Sequence, residues 1–168
     1  MGLRIAPALI DAMGDDHPEV RRGAGHALHK MGPATVPFLI QGLKHDKADV
    51  RQRAARGLYG LAPHAQKAIP ALTEALKDTD PFVRQWAACA VGDLGYHFGP
   101  VLKVAVPGLA ALLKDEDFMV REWAAMSLGF IGAAARAAIP ALREAANGED
   151  EWLKKAAVQS LREIQRAR

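Results

Sequence analysis

The sequence predicts an all-α fold, a right-handed α-solenoid of five helical hairpins and about ten helices. Two observations carry this. A proline is followed thirteen residues later by a Val-Arg pair or its near-equivalent five times: Pro7 with Val20-Arg21, Pro37 with Val50-Arg51, Pro70 with Val83-Arg84, Pro107 with Val120-Arg121 and Pro140 with Leu153-Lys154. The interval within each block is fixed, while the step from one Val to the next runs 30, 33, 37 and 33 residues. Constant blocks on variable joints mark a repeat architecture, in which each block is one supersecondary unit. The composition agrees: half the chain is apolar, only 6% is aromatic, and alanine-rich stretches without β-branched runs favour helix.

The blocks fall at roughly 3–32, 33–62, 63–95, 100–132 and 133–167, forming one domain over 1–168. The first opens on a mostly apolar segment, Met1 to Met13, with only Arg4 and Asp11 charged. Its second helix carries Val20, Ala24, Leu28 and Met31 and stops at the Gly32-Pro33 joint. The second block repeats this with Val50, Ala54, Leu58 and Leu61, ending at Ala62-Pro63. In the third, Ile69, Leu72 and Leu76 share one helical face, and Pro70 sits in the first turn, where its missing N–H is harmless. Asp78-Thr79-Asp80-Pro81 supplies an acidic N-cap and a proline at the first helical position. Val83, Ala87, Val91 and Leu94 then line the second helix, and Gly95 is its expected cap. The longest joint follows, with Tyr96-His97-Phe98-Gly99-Pro100 expected to bulge from the stack. Blocks four and five continue with Val120, Ala124, Leu128 and Ile131, then Leu153, Ala157, Leu161 and Ile164. A small residue four places after the key Val lets the two helices approach, and the larger ones fill the space between them. One hairpin cannot bury both its flanks, so neighbours must stack.

The string Asp-x-Asp-Pro-x-Val-Arg-x-x-Ala-Ala-x-x-x-Gly-x-Leu-Gly, from Asp78 to Gly95, resembles a HEAT repeat. More narrowly, it is similar to the short bacterial type known from phycobilisome lyase subunits. The resemblance implies a structural ladder of Asp and Arg side chains along the interhelical turns: Asp15 with Arg21, Asp78 with Arg84 and Asp115 with Arg121. In the second block His45 stands at the Asp place before Arg51, with Asp46 a possible substitute. In the fifth, Gly148 precedes Lys154, and the rung is expected to be missing. The resemblance also places the second helices on the concave side.

At about 100° per residue, places two, six and nine after the key Val point away from the partner helix, and places three and ten lie on a flank. The first two blocks thereby bring Arg22, His26, His29, Lys30, Arg53, Arg56 and Tyr59 to one groove. The third and fourth bring Trp86, Cys89, Trp123, Met126 and Phe130 beside it. A basic stretch running into an aromatic one suits a peptide or protein with acidic and apolar anchors, since Trp, Tyr and Arg dominate binding hot spots. The flank tryptophans serve equally well to fill gaps between repeats.

Chemistry is harder to find. No metal and no cofactor is indicated: His26 and His29 have no carboxylate at helical spacing, and Cys89 lacks a histidine at i±3 or i±4 to activate it. The chain has no His-Glu dipeptide, unlike the iron-binding HEAT-like hydroxylases, and no Asp–Arg–Trp constellation of the HEAT-like DNA glycosylases is identifiable. The glycines recur with the repeat and are read as serving helix ends. A non-enzymatic protein–protein interaction scaffold is the leading expectation. Nucleic-acid binding through the basic N-terminal half is an alternative, although a net charge of +3 with no polybasic tail argues weakly for it. The other alternative is a bilin-lyase-like subunit acting with a partner, the bilin lying along Tyr59, Trp86 and Trp123 with its propionates on Arg53 or Arg56. Apolar stretches fall short of the roughly 20 residues that span a bilayer, no signal peptide is evident, and a single cysteine suits a reducing compartment, so a cytoplasmic protein is expected. The last helix, with Lys154, Lys155, Gln159, Arg162, Glu163, Arg166 and Arg168, makes a polar cap. The first does not, so either this end pairs with another copy or partner or the chain is cut from a longer solenoid; some self-association through residues 3–13 is predicted.

Overall fold

The computed structural model describes residues 2–167; Met1, assigned above to the apolar first segment, and Arg168, assigned to the polar last helix, lie outside them. The described residues form short first helices α1 (Ala6–Ala12), α3 (Val36–Gly42), α5 (Ile69–Ala75), α7 (Val106–Leu112) and α9 (Ile139–Ala146). Alternating with them are longer second helices α2 (Pro18–Met31), α4 (Ala48–Tyr59), α6 (Pro81–Phe98), α8 (Phe118–Ile131) and α10 (Glu151–Arg166). Each short helix packs on the long one that follows it, and α4, α6, α8 and α10 pack side by side in series. This is the solenoid that the repeat pattern predicts. The joints are more helical than expected, because 3-10 turns such as Gly32–Thr35, Gly99–Ala105 and Gly132–Ala138 fuse a long helix to the next short one.

Each short helix carries proline in its first turn, where the absent N–H costs no hydrogen bond. Asp80, Asp117 and Asp150 cap α6, α8 and α10, each carboxylate accepting from two backbone N–H groups. Gly32 and Gly132 end their helices at φ of 67° and 66°, a left-handed conformation that glycine alone adopts without strain.

The third joint corrects the expectation. Tyr96 to Phe98 do not bulge; they extend α6 by another turn, and Gly99, at φ 39°, ends it. Gly95 is therefore no cap. It lies buried inside α6, where an added Cβ would stand 2.7 Å from Ile131 Cγ1 and 3.1 Å from the Ile131 Cα. Gly92 and Gly129 play the same part, a Cβ at either meeting the Oγ of Ser127 or Ser160 at 2.5 or 2.7 Å. Those serines donate across the interface, Ser127 Oγ to the Ala88 carbonyl at 2.8 Å and Ser160 Oγ to the Ala125 carbonyl at 2.7 Å. Glycines and buried serines thus draw α6, α8 and α10 together, a role that a reading of glycine as helix punctuation overlooks.

The core alternates as the key positions require. Val50, Val83, Val120, Ala54, Ala87, Ala124 and Ala157 are all fully buried. Val20 is the exception at 42% exposed. In the next repeat, Val50 packs where a Cβ on Gly14 would fall, which places it against the preceding hairpin; Val20 has no described hairpin before it. Helices α8 and α9 with their joining turn make one helical run, Phe118–Ala146, that is long and apolar enough, by length and composition only, to cross a membrane. The sequence expectation had no such segment. The run turns at Gly132, and Val120, Leu128, Ile131 and Leu142 along it are buried in the solenoid core.

Candidate functional site

The Asp–Arg ladder exists, but its rungs run between repeats rather than within them. Arg51 donates from Nε and Nη2 to Asp78 at 2.7 and 2.9 Å, Arg84 to Asp115 at 2.7 and 2.8 Å, and Arg121 to Asp150 at 3.2 and 2.7 Å. Within its own repeat each of these arginines uses Nη1 to hold backbone carbonyls five and six residues back, for Arg84 those of Asp78 and Thr79. The expected partnering of Asp78 with Arg84 and of Asp115 with Arg121 is therefore corrected: those contacts go to the carbonyl, and the carboxylate faces the previous repeat. The fifth block has its rung after all, supplied by Asp150 rather than residue 148. The first two rungs are bidentate, while both Arg121 donors meet the one Oδ2 of Asp150, whose Oδ1 caps α10. Each rung fixes one turn against the next, so the ladder sets the register of the stack.

Burial works to raise the carboxyls of Asp78 and Asp115, but the hydrogen bonds from Arg51 and Arg84 outweigh it and hold both below the usual range. Arg121 does the same for Asp150. Carboxyls depressed in the folded state contribute stability that is complete above the unfolded value of about 4 and is lost as pH falls through the lower folded values. The thermal midpoint should accordingly fall steeply below about pH 4, and Asp78→Asn with Asp115→Asn should flatten that decline, as a pH series of melting curves would measure.

The ladder is broken at one place. Arg21 holds the carbonyls of Asp15 and Asp16 like the others, but the next repeat offers His45 where Asp78 stands later. Asp46 does not substitute: its carbonyl serves Arg51. The Nε of Arg21 is buried and meets no acceptor among the described residues. Asp15 accepts from the His17 backbone, as Asp78 and Asp115 do from Asp80 and Asp117, but among the described residues no arginine donates to it.

Three grooves open along the face of the long helices. The first, about 570 Å³, lies between α2 and α4 and is lined by Arg21, Arg22, His26, His29, Arg53 and Arg56 over a floor that includes Leu28, Leu39 and Leu61. It exists because α2 packs on α4 far more loosely than α4 on α6. At place nine α2 carries His29 where α6 and α8 carry glycine. Lys30, assigned to the same groove by the sequence, does not line it. Arg21, assigned to the ladder alone, does.

The second groove, about 250 Å³, brings together Tyr59, Cys89, Asp93, Tyr96, Trp123, Met126 and Phe130. It shares Tyr96, Met126 and Phe130 with the third, about 660 Å³, which continues past Trp152, Lys155 and Gln159 on α10. Between the basic and aromatic parts, the Arg56 guanidinium sits 5.9 Å from the Trp86 ring centroid, and the Tyr59 ring lies 5.9 Å from the same indole, distances of cation–π and aromatic contact. Trp86 and Trp123 are half-buried and pack on the core, so each fills an inter-repeat gap and still presents an edge. Two further residues were missed. Tyr96, 77% exposed, continues the series of places two, six and nine by one turn, a signal hidden by reading Gly95 as the helix end. Trp152, one place before the key Leu153, lies under Lys155 Nζ at 5.4 Å.

Cys89 is 3% exposed, and burial pushes its thiol up to about 12, so it holds no thiolate near neutral pH. Among the described residues no three His, Cys, Asp or Glu side chains gather as metal ligands.

Against known proteins, residues 3–58, 36–104 and 102–162 match the family of HEAT repeats, and the chain belongs to that family. No curated protein matches it significantly by sequence. Among solved structures it resembles the complex of CpcE and CpcF of phycocyanin lyase from Nostoc sp. PCC7120, at TM-score 0.77 and 23% identity over 94% of this chain and 98% of that one. It also resembles an engineered protein at TM-score 0.71 and 24% identity, covering 95% and 79%. A designed armadillo repeat protein in complex with the peptide (KR)4 matches at TM-score 0.72 and 17% identity, covering 95% and 81%. At these identities the likeness concerns the fold.

Proposed function

We propose that the chain is a cytoplasmic, non-enzymatic scaffold that binds a peptide or a segment of a partner protein along the concave face of its long helices. The observation that carries this reading is the continuity of that face, from the basic groove through the Arg56–Tyr59–Trp86 cluster to the grooves lined by Tyr96, Trp123, Met126, Phe130 and Trp152. An extended ligand suits such a surface, and the designed armadillo protein in complex with (KR)4 is a precedent for a peptide on a helical solenoid. The charge here is of the opposite sense, so acidic rather than basic anchors fit its N-terminal end. Selection of peptides from a random display library tests the proposal. Binders should pair acidic residues with aromatic or aliphatic ones, and Trp86→Ala with Trp123→Ala should weaken them by roughly tenfold or more. Equal affinity for the double variant would reduce the indoles to packing.

The likeness to the CpcE–CpcF complex favours a second reading, a lyase-like subunit that acts with a partner; a shift in the absorption of a bilin on mixing tests it, and an unchanged spectrum removes it. The exposed Leu3, Ile5 and Val20 at the first hairpin support self-association through residues 3–13. Sedimentation should show a mass that rises with concentration, and a Leu3→Glu, Ile5→Glu variant should stay monomeric; a concentration-independent monomer contradicts it.

A further inference from the structure

We propose that the groove between α2 and α4 is an anion site for a phosphate monoester carried on a bound peptide. This rests on the scaffold reading and names the chemistry of its N-terminal end. Arginines 21, 22, 53 and 56 all line one cavity, with no carboxylate in its lining. Arg22 contacts the exposed Glu19 outside it. Two of the guanidinium groups are unfinished: the Nε atoms of Arg21 and Arg53 are buried and have no acceptor among the described residues. A buried donor without an acceptor costs free energy, and a small reorientation of either side chain towards an oxyanion in the groove would supply the missing acceptor. Arg21 is unfinished for a reason specific to this pair of repeats, the histidine at position 45 that breaks the ladder. Burial lowers Arg53, and of its charged neighbours only Asp49 offsets this while Arg56 and Arg21 add to it, as expected where like charges face one another.

The choice of anion follows from charge and extent. A phosphate monoester brings close to two negative charges and three strong acceptor oxygens to one point, which matches several guanidinium groups around one cavity better than a single carboxylate does. A nucleic acid needs basic residues along a path of successive phosphates. Beyond Arg56 the face turns aromatic and carries Asp93, Glu122 and Glu163, which repel a polyanion. Apolar residues after the phosphorylated one would instead rest on Tyr59, Trp86 and Trp123.

Resonances of the arginine Nε–H groups in the intact protein read the site directly. Inorganic phosphate should move the Arg21 and Arg53 signals and leave the ladder signal of Arg84 in place, while chloride at matched ionic strength should move neither. A short peptide with phosphoserine followed by leucine and phenylalanine should bind about tenfold tighter than its serine twin and several-fold tighter than its glutamate twin. Arg53→Gln should remove most of that gain. Equal responses to phosphate and chloride overturn the site, whatever the variant does to folding. Equal affinity for phosphoserine and glutamate overturns the phosphate assignment, and tighter binding of oligothymidylate than of the phosphopeptide overturns the peptide in favour of nucleic acid. If phosphate fails while display-selected peptides still bind, this site falls and the scaffold reading stands.

Discussion

Gly95→Leu should destabilise the protein by about 3 kcal/mol or more and broaden its unfolding transition. Forcing side-chain volume into a packed core costs about 1–3 kcal/mol where neighbours can yield, and here they cannot. The first added carbon already meets Ile131 at 2.7 Å, with the Ile131 backbone N and Cα at 3.1 Å, and α6 is held from its other side by α4. The leucine therefore has to separate α6 from α8, which also strains the nearby bond from Ser127 to the Ala88 carbonyl. Gly23→Ala is the matching control. Nothing lies within 4 Å of a Cβ at that position, so relief of backbone entropy should raise stability by about 0.5–1 kcal/mol. Denaturant titrations of the two variants separate close packing from helix propensity. A neutral Gly95→Leu would mean that the long helices are not in contact there.

Asp115→Ala should cost about 2–3 kcal/mol. The side chain accepts both donors of the Arg84 fork and the Asp117 backbone N–H, and it is only 7% exposed. Removing it leaves a largely buried guanidinium without its counter-charge, the more damaging way to break an ion pair. Asp46→Ala should instead stay within about 0.5 kcal/mol, because that exposed carboxylate makes no rung; only its main-chain carbonyl is used. If both substitutions cost the same, the ladder is decoration rather than the element that sets repeat register.

The fold was legible because a repeat states its constraints five times. The proline, the key Val and the alanine four places later each answer to backbone geometry or helix contact, and those are local demands that a sequence records. The ladder was legible in its residues but not in its partners. Asp78 is equally close in sequence to Arg84 whether its carboxylate turns to Arg84 or to Arg51, and only the stacking of one turn on the next decides. The glycines misled for a related reason. In α6 and α8 they answer to the neighbouring helix, not to their own helix's end, and nothing in one repeat distinguishes the two. Of the surface residues, helical phase placed Arg22, His26, His29, Arg53 and Arg56 around one groove, and Cys89, Trp123, Met126 and Phe130 around another. It misplaced Lys30, put Tyr59 with the basic groove although it lines the aromatic one, and missed Tyr96 because the length of α6 was misjudged.

Mapping the tightest display-selected peptide by hydrogen exchange on the complex tests the central claim most directly. If the long-helix face is one continuous binding surface, protection should appear together on α2, α4, α6 and α8, around Arg53, Trp86 and Trp123, and leave the outer helices α3, α5 and α7 unchanged. Protection confined to those outer helices, or to residues 3–13 alone, would contradict it.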